Sequence, residues 1–250
     1  MGRIVLVGDV GGFPGELARV VGGGGHDLVI QVGDLVDRGP DSPGVLALVR
    51  ERLERDRRGW VQLIGNHEWQ YLDGEIFWPE PLGEDDQGLL RAWWLREWVR
   101  VAAAVRAADG EEFLITHAGL GVEAWRQLGE PVTATTAADL LNTRPREVLG
   151  SYRGPLWASA GSEVYESWLD EGTPMPFSQI HGHDQIVGFE GRTWRCGERV
   201  RQRAIVDWAA RHTITRVSGG ARFIGIDPRH GRTGAPQWAP LVLDGATLVA

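Results

Sequence analysis

Lysine is absent, since all 26 basic residues of the 250 are arginine. Without it there is no Walker A phosphate loop, no Schiff base and no lysine nucleophile. Cysteine occurs once, at Cys196, which excludes an internal disulfide and any multi-cysteine zinc site and reads as a small buried apolar residue. No apolar run approaches the ~20 residues of a membrane span, and the strand-like Arg3 to Val7 starts too near Met1 for a secretion signal to precede it. A soluble, cytoplasmic protein is therefore expected. No G-x-G-x-x-G follows a strand, no G-x-S-x-G elbow is present, and His67-Glu68 has Tyr71 where a zincin helix carries its second histidine. With 34 acidic residues, the net charge of −8 argues against a general affinity for nucleic acid. The chemistry left to this chain belongs to carboxylates, histidines and arginines.

What is present is a series of short apolar runs, each closed by a polar cluster. Ile4 to Val7 leads into Gly8-Asp9, Leu28 to Val32 into Gly33-Asp34, and Val61 to Ile64 into Gly65-Asn66-His67-Glu68. Phe113 to Thr116 leads into His117, and Ser178 to Ile180 into His181-Gly182-His183. Runs of this length, β-branched and closed by glycine, predict buried strands. Helices are predicted over Gly15 to Val21, Pro43 to Arg55 and Gln87 to Ala108, the last from the spacing of Leu90, Trp94, Trp98, Val101 and Val105. The tetraglycine Gly22 to Gly25 reads as a turn, and Ser218-Gly219-Gly220 as the tip of a hairpin between Thr213 to Val217 and Ala221 to Ile226. No repeat or linker divides the chain, so one domain over 1–250 is expected, a mixed α/β sandwich with helices outside.

An open sheet gathers the carboxyl ends of its strands along one edge, so residues far apart in sequence can meet there. Asp9, Asp34, Asn66, His117 and His183 are the carboxylate, amide and imidazole groups that hold divalent cations, and such cations polarise a phosphoryl group and acidify water. Asp184 and Gln185, beside His183, are candidate auxiliary ligands. His181 points to the opposite strand face and reads as a core residue. His26, His212 and His230 read as solvated. Residues 191–232 hold ten arginines (192, 195, 199, 201, 203, 211, 216, 222, 229 and 232) against three acids, a field that would steer an anionic substrate.

Several segments resemble the calcineurin-like metallophosphoesterases, in the branch of serine/threonine phosphoprotein phosphatases and bacterial diadenosine tetraphosphatases. Gly33-Asp34-Leu35-Val36-Asp37-Arg38-Gly39 is similar to its G-D-x-V-D-R-G, Gly65-Asn66-His67-Glu68 to G-N-H-E, Thr116-His117-Ala118-Gly119 to H-A-G, and His181-Gly182-His183 to H-G-H. Gly225-Ile226-Asp227, followed by Gly231, is similar to its closing I-D-x-G strand. The resemblance runs from residue 3 to about 243. It implies two packed mixed β-sheets flanked by helices, and one or two divalent cations per chain, Mn2+ before Mg2+, Fe2+ or Zn2+. Asp34 would bridge the cations, with Asn66, His117 and His183 on the second and Asp9 on the first. It further implies that His67 is the general acid, oriented by Asp37, that Arg38 and Asn66 bind phosphate, and that a metal-bound hydroxide attacks in line.

The sequence departs from that pattern twice. The family's D-x-H-G reads Asp9-Val10-Gly11-Gly12 here, without the first cation's histidine. Ser159 stands two residues after Trp157, where relatives often carry a phosphate-binding arginine, and Arg144, Arg146 and Arg153 are candidate replacements. The expected function is hydrolysis of a phosphomonoester, with a phosphoprotein or a nucleotide as the phosphorylated partner. The alternatives are a nucleoside polyphosphate hydrolase and a pseudophosphatase that binds phosphorylated partners without turnover.

Overall fold

A computed structural model of the chain describes residues 1–231 and 237–250. Its strands are β1 (Gly2–Val7), β2 (Leu28–Gln31), β3 (Trp60–Leu63), β4 (Val99–Arg100), β5 (Ala102–Arg106), β6 (Glu112–Thr116), β7 (Ser178–His181), β8 (Val187–Gly188), β9 (Thr193–Trp194), β10 (Ala204–Asp207), β11 (His212–Arg216), β12 (Arg222–Gly225) and β13 (Leu241–Leu248). Among the described residues, eleven of them form one ladder in the order β10-β11-β12-β7-β6-β5-β13-β1-β2-β3-β4. Strands β1 to β4 run parallel, and so do β6, β7 and β12. The long β13 pairs antiparallel with both β1 and β5 and so joins the two halves.

The halves stack face to face. Ile4 and Leu6 of β1, Ile30 of β2 and Leu63 of β3 pack in one cluster with Val105, Phe113, Ile115, Ile180 and Ile224 of the other half. The alternate residues Val5, Val7 and Val29 join a second cluster that reaches the helices. Burial on both faces is why these strands read as continuous apolar runs instead of alternating ones. The helices outside include α1 (Pro14–Gly22), which buries Leu17 and Val21, and α2 (Ser42–Arg55), which buries Val45, Leu46, Val49 and Leu53. Proline in its first turn and an Asp41 side chain accepting from the Gly44 N–H at 2.8 Å start α2. No helix among the described residues is long and apolar enough to cross a membrane.

The helix predicted over Gln87 to Ala108 is shorter than its periodicity suggests. After the one-turn helix α3 (Asn66–Trp69), α4 spans only Glu84–Leu95. It ends with Glu97 at φ 57° and the Trp98 N–H donating back to Trp93 O at 2.9 Å, a closure usually made with glycine. The rest of the predicted helix becomes β4 and β5, where Ala102, Ala103 and Ala104 are fully buried. Burial between the sheet halves and the helices overrides alanine's helical preference. The hairpin at Ser218–Gly220 forms as expected, with Gly219 and Gly220 at φ 83° and 87°.

If the halves are stacked as described, Ile30→Ala leaves a cavity in their shared core and costs roughly 2–5 kcal/mol in urea denaturation. The exposed Val132→Ala is expected to stay within about 0.5 kcal/mol. Equal effects at both positions would contradict the stacking.

Candidate metal centre and active site

Each parallel set delivers its carboxyl ends to the same edge of the sandwich. Backbone and side-chain bonds tie these ends together: His183 N–H donates to Asp9 Oδ1 at 3.0 Å, Gly182 N–H to His117 O at 2.8 Å and Ile226 N–H to His181 O at 2.8 Å. The chain turns sharply there. Asp34, Asp37, Arg38 and His183 hold φ between 53° and 69°, a left-handed conformation costly for residues with a Cβ. Glu68 maintains the Asp34 turn, its carboxylate accepting N–H bonds from Asp34, Leu35 and Gly65 at 2.8–2.9 Å. The motif carrying Glu68 was legible in the sequence, while its bracing role was not.

Asp34, His117 and His183 each offer a donor atom within 4.8 Å of the others, the only such group among the described residues. Asn66 Oδ1 lies 3.0 Å from both His117 Nε2 and His183 Nδ1. The opposite ring nitrogens face carbonyl oxygens, His117 Nδ1 at 2.9 Å from Val32 O and His183 Nε2 at 3.1 Å from Trp157 O. Donation to those carbonyls fixes the tautomers and turns lone pairs inward. Lone pairs and an amide oxygen 3.0 Å apart repel unless a proton or a cation lies among them. Burial opposes charge on His117, but Asp34 at 3.2 Å outweighs it and lifts the pKa to about 9. Burial and then the neighbouring His117 push His183 down to about 3. One carboxylate, one amide oxygen and two imidazoles fit a first-row divalent cation.

Asp9 is tied to the same strand-end loops. Its Oδ1 is bonded to His183 N–H, while Oδ2 is buried without a partner, as are Asp34 Oδ2 and Asp227 Oδ2. Burial, then Asp227 and Asp34, raise the Asp9 pKa well above its usual value. Gly11 contributes no donor. Arg38 lies near Asp34, its Nη2 3.8 Å from Asp34 Oδ2.

His67 lies beside the cluster, with Nδ1 2.7 Å from Asp37 Oδ2 and Nε2 3.8 Å from Asp34 Oδ2. Burial disfavours its charged form, but Asp34 and the Asp37 hydrogen bond outweigh that and raise its pKa. Gln70 Nε2 donates to the same Asp37 oxygen at 2.8 Å, an orienting contact the sequence reading missed although Gln70 stands one helical turn after His67. The rings of Phe77 and Trp78 pack against His67 with centroids 5.1 Å away. Beyond them opens a cleft of about 520 Å³ lined by Phe77, Tyr152, Trp157, Asp73 and Glu75.

Other sequence candidates are engaged elsewhere. Gln185 is held by Thr213 and the Asp227 carbonyl, and Asp184 by Arg229 at 3.0 Å. Arg146 pairs with Asp73, Arg153 with Glu123, and Arg144 stacks on Trp94. His181 is a core residue, as expected, 2.6 Å from the Tyr165 hydroxyl. His212 and His230 are buried, not solvated, and His230 packs against Phe13 and Trp238. Cys196 is partly exposed, not buried. Within the arginine-rich segment, Arg199, Arg211, Arg222 and Arg229 pair with Asp170, Glu190, Glu111 and Asp184, which weakens the steering field. Arg232 lies outside the described residues.

The chain belongs to the calcineurin-like phosphoesterases, whose family model matches residues 2–208. A stretch of 49 residues is 52% identical to part of serine/threonine-protein phosphatase 1 of Salmonella typhimurium, covering 19% of this chain and 19% of that protein. Among solved structures, a metallophosphoesterase from Sphaerobacter thermophilus is 15% identical over 98% of this chain and 86% of its own, with a TM-score of 0.45. A protein serine/threonine phosphatase from Saccharomyces cerevisiae is 15% identical over 95% of this chain and 82% of its own, with a TM-score of 0.43. The family uses divalent metals, and the donor cluster provides a fitting pocket.

Metal binding is expected to stabilise the fold. At a hundredfold excess over its Kd, Mn2+ adds roughly 2.7 kcal/mol, read as a rise in Tm. His117→Ala removes a central donor, so its Tm is expected not to respond; an equal rise in wild type and variant would show that the ion binds elsewhere.

Proposed function

We propose that the chain is a cation-dependent phosphomonoesterase whose leaving group is an uncharged or basic arm, such as a phosphorylated serine or threonine in a peptide. The observation that carries this reading is the placing of His67, held by Asp37, between the metal pocket and the aromatic cleft.

A divalent cation held by Asp34, Asn66, His117 and His183 would supply Lewis acidity toward a phosphoryl oxygen and acidify water. The chain's own groups do the rest. Arg38 offers a planar fork to two phosphoryl oxygens, and the Asn66 side-chain amide offers a further donor. His67 Nε2 donates its proton to the departing oxygen while Asp37 holds Nδ1 and stabilises the charged ring. Phe77 and Trp78 shield this transfer from water.

The cleft then selects the arm that leaves. Its ionisable lining residues are Asp73, already paired with Arg146, and Glu75. A nucleoside polyphosphate would send negative charge toward Glu75, whereas a peptide side chain would pack on Phe77 and Trp157. The missing donor at Gly11 favours the second reading, a pseudophosphatase, and turnover separates the two.

Assays with Mn2+ on p-nitrophenyl phosphate, a phosphopeptide and diadenosine tetraphosphate test the proposal. Hydrolysis of the first two with little of the third is expected. Binding of phosphopeptide without hydrolysis of any substrate would move the protein to the pseudophosphatase reading. His67→Asn is expected to slow the phosphopeptide about 10²–10⁴-fold and p-nitrophenyl phosphate far less, because only a poor leaving group needs the proton. Equal losses would remove His67 from that role. Glu75→Arg is expected to shift kcat/KM toward diadenosine tetraphosphate by a few-fold, the scale of an exposed charge at about 0.2–1 kcal/mol. No shift would mean that the cleft does not take the leaving group.

A further inference from the structure

One row of the core between the sheet halves runs on to the end of the ladder. Ile115 of β6, Ile180 of β7, Ile224 of β12, Ile214 of β11 and Ile205 of β10 stand in register, one isoleucine per strand. The first three are at most 3% exposed and Ile214 is partly buried against the same cluster, whereas Ile205 is 63% exposed.

No strand follows β10 in the ladder among the described residues. Arg203 O accepts the Arg216 N–H of β11 at 3.1 Å, so Arg203, Ile205 and Asp207 turn their backbone groups inward to β11. Ala204 and Val206 turn theirs outward, where they have no partner among the described residues. No proline or bulge interrupts the strand, and an unpaired edge of this kind is a template for a further strand. The side chains divide in the same way. Ala204 and Val206 are partly buried against the helix-side cluster, while Arg203, Ile205 and Asp207 share the other, exposed face.

The segment Arg203-Ala204-Ile205-Val206-Asp207 carries opposite charges equally spaced about the isoleucine. Arg203 Nη1 donates to Arg199 O at 2.8 Å, and Asp207 Oδ1 accepts from the Ala209 and Ala210 N–H groups at 3.0 and 2.9 Å, but neither side chain has an ion-pair partner among the described residues. Arg216, across from Arg203, adds like charge beside it.

We propose that β10 is a docking edge for β10 of a second copy of this chain, the two strands running antiparallel about a two-fold axis at Ile205. Ala204 then lies opposite Val206 of the partner subunit, and the two exchange N–H···O=C bonds. Ile205 meets Ile205 of the partner subunit, and Arg203 meets Asp207 of the partner subunit. These pairs fall at the non-hydrogen-bonded positions, where side chains approach most closely. Sliding either strand to the next register that uses the outward groups sets Arg203 or Asp207 against an isoleucine, so the pattern selects one pairing. A strand of four residues buries less than a standard interface of ~1,600 Å2, so the association is weak and concentration-dependent.

Sedimentation equilibrium of the full chain over roughly 1 µM to 1 mM tests this. Wild type is expected to pass from monomer to dimer within that range. Ile205→Lys sets two like charges at the centre and is expected to stay monomeric. Ala204→Pro removes an outward donor at the first position of the strand, where no internal bond is lost, and is expected to be monomeric with an unchanged circular dichroism spectrum. Arg203→Glu places acid against acid and is expected to weaken the dimer several-fold, and adding Asp207→Arg to it is expected to recover the wild-type strength. Wild type that stays monomeric throughout would overturn the inference and leave the edge to a different partner. A dimer of unchanged strength in folded Ile205→Lys or Ala204→Pro would overturn it too, because another surface would then hold the copies together. A folded double variant that fails to recover would overturn the pairing of Arg203 with Asp207.

Discussion

The site is organised around one fully buried carboxylate. Asp34 sits at the end of β2 with φ 53°, and its charge survives burial only because His117, His67 and Arg38 surround it. Together they hold its pKa well below the usual aspartate value although burial acts in the other direction. Each of those groups is positioned by something else: His117 by the Val32 carbonyl, His67 by Asp37, and Arg38 by its place four residues along the same loop. Glu68 in turn braces the loop through the backbone N–H groups of Asp34 and Leu35. An ionised carboxylate without these partners would cost several kcal/mol in the interior. The contacts that keep Asp34 ionised are therefore also the ones that hold the candidate site together.

The strand ends were legible in the sequence because buried parallel strands read as apolar runs, and the polar clusters that stop them are the candidate site residues. That logic located Asp9, Asp34, Asn66, His117 and His183 at one edge, which is where the structure brings them. It failed where local signals were ambiguous. From Val101 to Val105 the chain has alanine-rich helical spacing, yet it lies inside the sheet, and only tertiary burial decides. Isolated histidines show the same limit, since nothing adjacent to His230 in sequence reveals Phe13 and Trp238 closing over it. The bracing by Glu68 and the orienting bond from Gln70 depend on the Asp34 and Asp37 loop folding over α3, which no window of sequence contains.

Counting charges in a window misled for a related reason. The arginine surplus between residues 191 and 232 is real in sequence, but its acid partners come from elsewhere: Glu111, Asp170, Asp184 and Glu190 all lie before the window. Partly exposed pairs of this kind add little stability, yet they weaken the long-range field.

The loss of a donor at position 11 and the position of Arg38 are one structural fact. The two loops are zipped backbone to backbone: Gly11 N–H donates to Asp34 O and Gly12 N–H to Leu35 O, both at 2.8 Å, and Gly39 N–H returns to Gly11 O at 2.8 Å. A Cβ at Gly12 would lie 2.8 Å from Asp37 O, and one at Gly39 would lie 2.6 Å from Gly11 O, so this approach requires glycine at both. The zipper fixes the loop carrying Arg38 directly over Gly11. A Cβ at 11 would lie 3.5 Å from Arg38 Cδ, an ordinary contact, so it is the φ of +52° that favours glycine there. The glycines at 11, 12 and 39 and the position of Arg38 are thereby parts of one backbone arrangement, and a change at any of them is felt by the others.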